Sequence, residues 1–164
     1  MGKLIKVEGF DACFEKIEEL KGKTTLFIMF SGSKDEKTGK LEMLKLLFHN
    51  KYPCRWKLGA IVSILFIFYL LGISWCPDCV TAEPVIEKCF KDTGDDVTLL
   101  YVAVGQRDFW KKQDNPFRTH EKLRLKGVPT LMKWGGPQKL VEEELFNEDL
   151  VQMLFEDEWM LCWI

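Results

Sequence analysis

The stretch ISWCPDCVTAEPV (Ile73–Val85) decides how this chain is read. Two thiols, Cys76 and Cys79, stand two residues apart, and VTAEPVIEKCFKD (Val80–Asp92) continues from them as a helix. A cysteine at a helix N-terminus faces unpaired backbone N–H groups and the positive end of the macrodipole, and both favour thiolate over thiol. Cys76 is therefore the expected nucleophile, and Cys79, one turn on, the thiol that displaces a substrate bound to it. Pro77 suits the first helical turn, where its missing N–H is not needed. Trp75 is expected to cover the pair with an apolar surface. Spacing alone leaves two other readings open. One is half a zinc site, which needs two further ligands; Cys54, Cys89, His49 and His120 are available, but none forms a second close pair. The other is a pair of structural cysteines that happen to be neighbours.

Working outward, the apolar residues Phe10, Cys13, Phe14, Ile17 and Leu20 recur at three- and four-residue spacing with Glu15, Glu18 and Glu19 between them. That pattern predicts an amphipathic helix which Gly22 stops. TTLFIMF (Thr24–Phe30) and VTLLYVAV (Val97–Val104) are short, apolar and β-branched or aromatic, and predict two buried strands. PTLMKW and LVEEEL predict a hairpin about Gly135-Gly136-Pro137, and Asn147 caps a last helix to about Glu156 with Leu150, Val151, Leu154 and Phe155 inward. Between them, GQRDFWKKQDNPFR (Gly105–Arg118) is longer than a connector requires, and its Phe109-Trp110 pair serves either specificity or core anchoring. This order predicts an α/β fold, a mixed central sheet with helices on both faces.

The chain has 164 residues, 47% of them apolar and 29% charged, which suits a single globular domain over 1–164. A formal charge of -2 argues against a nucleic-acid partner, which would require a basic face. The opening MGKLIKVEGFDACFEK contains no apolar run of the signal-peptide kind, so a reducing, cytoplasmic setting is expected. Cys13 and Cys89 fall on expected buried faces as small core residues. His120, in a charged stretch, is expected in solvent. Glu83 lies four residues after Cys79, within helical reach of that thiol to pass its proton; a solvated or capping carboxylate is the alternative.

Taken in order, FSGSKD, SWCPDC, AEPV, GVPTL and GGPQKLVEEEL resemble the thioredoxin superfamily, and within it the thioredoxin domain-containing protein 17 family of small cytosolic oxidoreductases. The resemblance covers about Val7–Lys40 and Ser74–Phe155. It implies a thioredoxin fold, with Pro84 as the helix proline and Pro129 as a cis-proline facing the cysteines. Val128 would then offer its backbone to the substrate. It also implies a reductase of small or peptide disulfides such as cystine. Such an enzyme is recharged from NADPH through thioredoxin reductase and binds no cofactor or metal itself, and a monomer is expected. Asp78 departs from the small or apolar residue common in thioredoxin. Its carboxylate would oppose the Cys76 thiolate and narrow the range of partners.

One segment does not fit. Leu41–Ile73 carries Lys45, Lys51, Arg55 and Lys57 against Glu42 alone, a formal +3 that leaves -5 for the remainder of the chain. Within it Leu58–Ile73 is free of charge; its 16 residues would rise ~24 Å as a helix against a hydrocarbon core of ~30 Å, and including Ser74–Pro77 closes the gap, so composition alone allows a membrane span and topology argues against it. A single membrane crossing would separate the first strand from the cysteines, so membrane association of 58–73 is not favoured. The segment is read as a non-family insert, of splicing or gene-model origin, within one domain. The alternative function is then an impaired, membrane-associated or misassembled form that binds partners without turnover.

Overall fold

The computed structural model describes residues 2–34 and 74–156. The segment 41–73, read above as an insert, and the tail DEWMLCWI (157–164) lie outside the described residues, as do His49 and Cys54. Strand β1 (Lys3–Glu8) leads to helix α1 (Phe10–Leu20) and strand β2 (Thr25–Ser31). Helix α2 (Pro77–Lys91), strand β3 (Val97–Ala103) and the short helices α3 (Arg107–Trp110) and α4 (Pro116–Thr119) follow. The chain closes with β4 (Thr130–Lys133), β5 (Lys139–Val141), a 3-10 turn (Glu142–Phe146) and α5 (Glu148–Glu156). The five strands form one mixed sheet in the order β1-β3-β2-β4-β5, parallel among the first three and antiparallel at the other side.

The apolar runs of β2 and β3 follow from their central position, since both faces of each are covered. Leu26, Ile28 and Phe30 pack with α1 residues Cys13, Ile17 and Leu20, and with Leu100 and Val102. Phe27 and Met29 point the other way, to Ala82, Ile86 and Cys89 of α2 and Val151, Leu154 and Phe155 of α5. The two-residue period of a strand thus divides one sequence run between two cores. Cys13 and Cys89 are core residues, both essentially without exposure.

Two expectations are corrected, and one strand is added to which the sequence reading assigned no element. Lys3–Glu8 is a strand, paired in parallel with β3 from Lys3↔Thr98 to Glu8↔Ala103. Its three charged residues hide the signal, as suits a strand at the sheet edge. EEEL does not extend the hairpin: β5 ends at Val141, Glu142 takes φ 52°, and the Glu144 carboxylate accepts the Val141 N–H at 2.8 Å. Three adjacent carboxylates avoid a paired strand by turning. Nor is His120 free in solvent, since its ring lies 4.5 Å from that of Phe14 and 5.6 Å from that of Phe10. In the long connector, Trp110 is 6% exposed and anchored, whereas Phe109 is 39% exposed.

Candidate active site

The site lies where β2 and β3 end, the edge at which open α/β sheets present their ligands. Beyond the strands the ladder continues: Val104 N–H donates to the Ser31 carbonyl at 2.9 Å and Ser33 N–H to that of Gly105 at 3.2 Å. Lys34 and Ser74 form an antiparallel bridge, and Trp75 N–H donates to the Ser33 carbonyl at 3.3 Å. The chain therefore leaves the sheet and returns to it at adjoining positions, and Ser74 delivers Trp75 and Cys76 directly to the end of β2.

Cys76 is the N-cap of α2, with extended φ,ψ of -98° and 111°, and its sulfur accepts the Cys79 N–H at 3.4 Å. Pro77 fills the first helical position, where a donor would have had no partner. A second hydrogen bond runs from the Cys76 thiol to the Val128 carbonyl at 3.3 Å. The Val128-Pro129 peptide is cis, and both residues are buried. Trp75 is half-buried, its indole N–H donating to the Gly105 carbonyl at 2.8 Å. Pro77 and Asp78 are exposed on the first turn, and Pro84 stands inside the helix.

The two thiols differ in environment. Cys76 lies below the ordinary thiol value, first because Cys79 hydrogen-bonds to its sulfur, with the Cys79 and Asp78 backbone N–H groups assisting. Burial opposes this, and so does the Asp78 charge. Cys79 is pushed far up, because the same bond reserves its proton for Cys76 and because it is fully buried. The asymmetry leaves the readier thiolate at Cys76 and the more firmly held proton at Cys79.

The sequence did not single out Ser31, Gly32, Ser74 or Tyr101. Gly32 N–H donates to the Cys79 sulfur at 3.4 Å, and its carbonyl accepts the Ser74 hydroxyl at 2.8 Å. That hydroxyl oxygen accepts the Cys76 N–H at 3.3 Å. Glu83 does not bond directly to Cys79. Its carboxylate accepts a short hydrogen bond from the Tyr101 hydroxyl and one of 3.4 Å from the Ser31 hydroxyl. Small residues at the end of an apolar strand, SGS, were the available sign that backbone approaches something there. Tyr101, the one titratable group in VTLLYVA, was the other.

Among the described residues, no group of three or more His, Cys, Asp or Glu side chains is arranged to hold a metal, and no helix is long and apolar enough to cross a membrane.

The family model for the thioredoxin domain of thioredoxin domain-containing protein 17-like proteins matches residues 60–157. The chain belongs to this family. Thioredoxin domain-containing protein 17 of Mus musculus is 36% identical over 154 residues, covering 94% of this chain and 95% of the relative. The Homo sapiens protein is 34% identical over the same length and shares. Thioredoxin-like protein Clot of Arabidopsis thaliana is 45% identical over 80 residues, 45% of this chain and 60% of that protein. The mixed sheet with helices on both faces is the thioredoxin-like fold of the thioredoxin domain-containing protein 17 family. Membership makes thiol–disulfide oxidoreduction the class of chemistry.

Proposed function

We propose that this chain reduces small or peptide disulfides such as cystine, with Cys76 as nucleophile and Cys79 as resolving thiol, and that NADPH recharges it through thioredoxin reductase in the cytoplasm. The observation that carries the proposal is the split between the thiols, one held low at a helix N-cap and the other held high beside it. The Cys76 thiolate attacks one sulfur of the substrate; a Cys76–substrate disulfide forms and the other substrate sulfur leaves as thiolate. Cys79 then attacks the Cys76 sulfur, which expels the second substrate thiolate and leaves a Cys76–Cys79 disulfide. Two electrons have passed to the substrate, and the reductase returns two from NADPH. Trp75, Val128 and Pro129 would border the substrate, and Asp78, exposed beside the nucleophile, would disfavour acidic partners.

The test is NADPH oxidation by the full chain with thioredoxin reductase and cystine, beside a form lacking Leu41–Ile73. Turnover by both supports the proposal for this chain. Turnover by the shortened form alone means that the site is competent but the insert disables it, in favour of partner binding without turnover. Turnover by neither overturns it.

A further inference from the structure

Trp75 is placed by a glycine, and a glycine does not hold its own orientation. Gly105 takes φ 96°, and Phe109 Cδ1 lies 2.9 Å from where a Cβ would stand, so the position calls for glycine. The same freedom leaves its carbonyl, which accepts the Trp75 indole N–H at 2.8 Å, to be aimed by its neighbours. Ser33 aims it. The Ser33 N–H donates to the Gly105 carbonyl at 3.2 Å, and the Ser33 hydroxyl oxygen accepts the Gly105 N–H at 3.0 Å, so both peptide planes that meet at Gly105 are held. The hydroxyl in turn donates to Glu8 Oε1 at 3.1 Å. Glu8 ends β1 and Ser33 follows β2, with β3 between those strands. The two side chains meet over the end of β3, where Glu8 and Ser31 are in register with the same residue, Ala103. Ser33 is 3% exposed, and its carbonyl accepts the Trp75 N–H at 3.3 Å. One buried residue thus holds the backbone of Trp75 directly and its indole through Gly105.

We propose that Ser33 and Glu8 are positioning residues for substrate binding, which lock the Gly105 peptide planes so that the Trp75 indole stands fixed beside Cys76. This rests on the reading of Cys76 as the attacking sulfur and of Trp75 as a border of its substrate. A serine hydroxyl both donates and accepts, and here it does each once, receiving the Gly105 N–H and giving to Glu8. Removing it leaves the Gly105 N–H without that acceptor and Glu8 without that donor. Gly105 then regains the rotation that turns its carbonyl away from the indole. Cys76 is held by other groups, the Ser74 hydroxyl, the Cys79 N–H and the Val128 carbonyl, none of which bonds to the Ser33 side chain. The lock therefore acts on substrates that lean on Trp75 and leaves the reactivity of the thiolate as it is.

In the test, the reduced full chain is mixed with oxidised glutathione, a peptide disulfide, and the chain that has gained the Cys76–Cys79 disulfide is counted by mass spectrometry after quenching. Iodoacetamide, which requires only the thiolate, is run beside it. A misplacement of ~1 Å costs about a hundredfold in rate, so Ser33→Ala and Glu8→Ala are expected to slow oxidation about tenfold or more while alkylation of Cys76 stays within about twofold of wild type across the pH profile. Glu8→Gln keeps a side-chain oxygen to accept the Ser33 hydroxyl and should return the wild-type rate. By nuclear magnetic resonance, the Trp75 indole N–H signal, assigned by its loss in Trp75→Phe, should shift and exchange faster in both alanine variants and hold its place in Glu8→Gln. Glu8 is exposed, so its variants report even where Ser33→Ala fails to fold. An unmoved Trp75 signal, oxidation at the wild-type rate, or alkylation slowed as much as oxidation would each overturn the proposal. A wild-type chain that iodoacetamide labels at Cys76 but oxidised glutathione leaves reduced would instead overturn the disulfide-exchange reading, and the Trp75 signal would still decide the placement.

Discussion

Gly32→Ala tests how tightly the cysteines are placed. A Cβ on Gly32 would stand 2.8 Å from the Ser74 hydroxyl, 2.8 Å from Trp75 Cε2 and 3.1 Å from Cys76 Cβ. Carbon atoms in contact settle at about 3.5–4.0 Å, so Trp75 must withdraw by roughly 0.7 Å or more. It is not free to do so. Its indole is tied to the Gly105 carbonyl at 2.8 Å, and Ser74 is held by the Gly32 carbonyl at 2.8 Å and the Cys76 N–H at 3.3 Å. Gly32 is outside the left-handed region, so the added methyl meets no backbone strain and gains ~0.4–1 kcal/mol from a stiffer unfolded chain. Overpacking costs about 1–3 kcal/mol, which leaves a net loss between about 0 and 2.6 kcal/mol. Catalysis should suffer more than stability. A misplacement of ~1 Å costs about a hundredfold in rate, so a shift near 0.7 Å transmitted to Cys76 is expected to slow reduction by roughly ten- to a hundredfold. Stopped-flow reduction of an aromatic disulfide gives the rates and thermal unfolding the stability. Wild-type rates with an unchanged melting temperature would refute the claim that Gly32 is required by the approach of Ser74, Trp75 and Cys76.

Other consequences are open to direct measurement. Cys79→Ser should trap a Cys76–substrate mixed disulfide visible by mass spectrometry, whereas Cys76→Ser should form none; trapping on the wrong residue would reverse the roles. Alkylation of Cys76 should be half-maximal below the ordinary thiol value of 9.0, and Asp78→Asn should lower that midpoint further, because the opposing charge is gone. An unmoved midpoint would mean that the carboxylate does not act on the thiolate. Cys13, pushed up to about 12 by burial, stays protonated in the fold while the unfolded chain ionises near 9.0, so stability is lost as pH rises through that interval. Cys13→Ala should therefore lose stability less steeply than wild type in denaturant titrations above pH 9.0, and parallel curves would contradict the burial of that thiol as the cause.

Local pattern carried the sequence a considerable way. The helix Phe10–Leu20, the strands β2 and β3 and the start of α2 at the cysteines are visible because each depends on residues within one or two turns of one another. The N-cap position of Cys76, with Pro77 after it, is equally local, and so is the prediction that Cys76 is the nucleophile. β1 was missed since an edge strand carries charge, and EEEL was misread since strand and turn differ there by a single backbone flip at Glu142.

What surrounds the thiols was decided by the tertiary structure. Ser31 meets Glu83 across 52 positions, Gly32 meets Cys79 across 47 and Cys76 meets Val128 across 52. No periodicity encodes such pairs; they follow from which strands adjoin, in which register, and where α2 crosses them. The sequence by itself determined that two neighbouring thiols would sit at a helix start on an α/β domain. Only the fold decided that Gly32 must be small, that Val128 turns its carbonyl to Cys76, and that Ser31 and Tyr101 hold Glu83, because these depend on the register of β2 against β3 and the packing of α2 upon them.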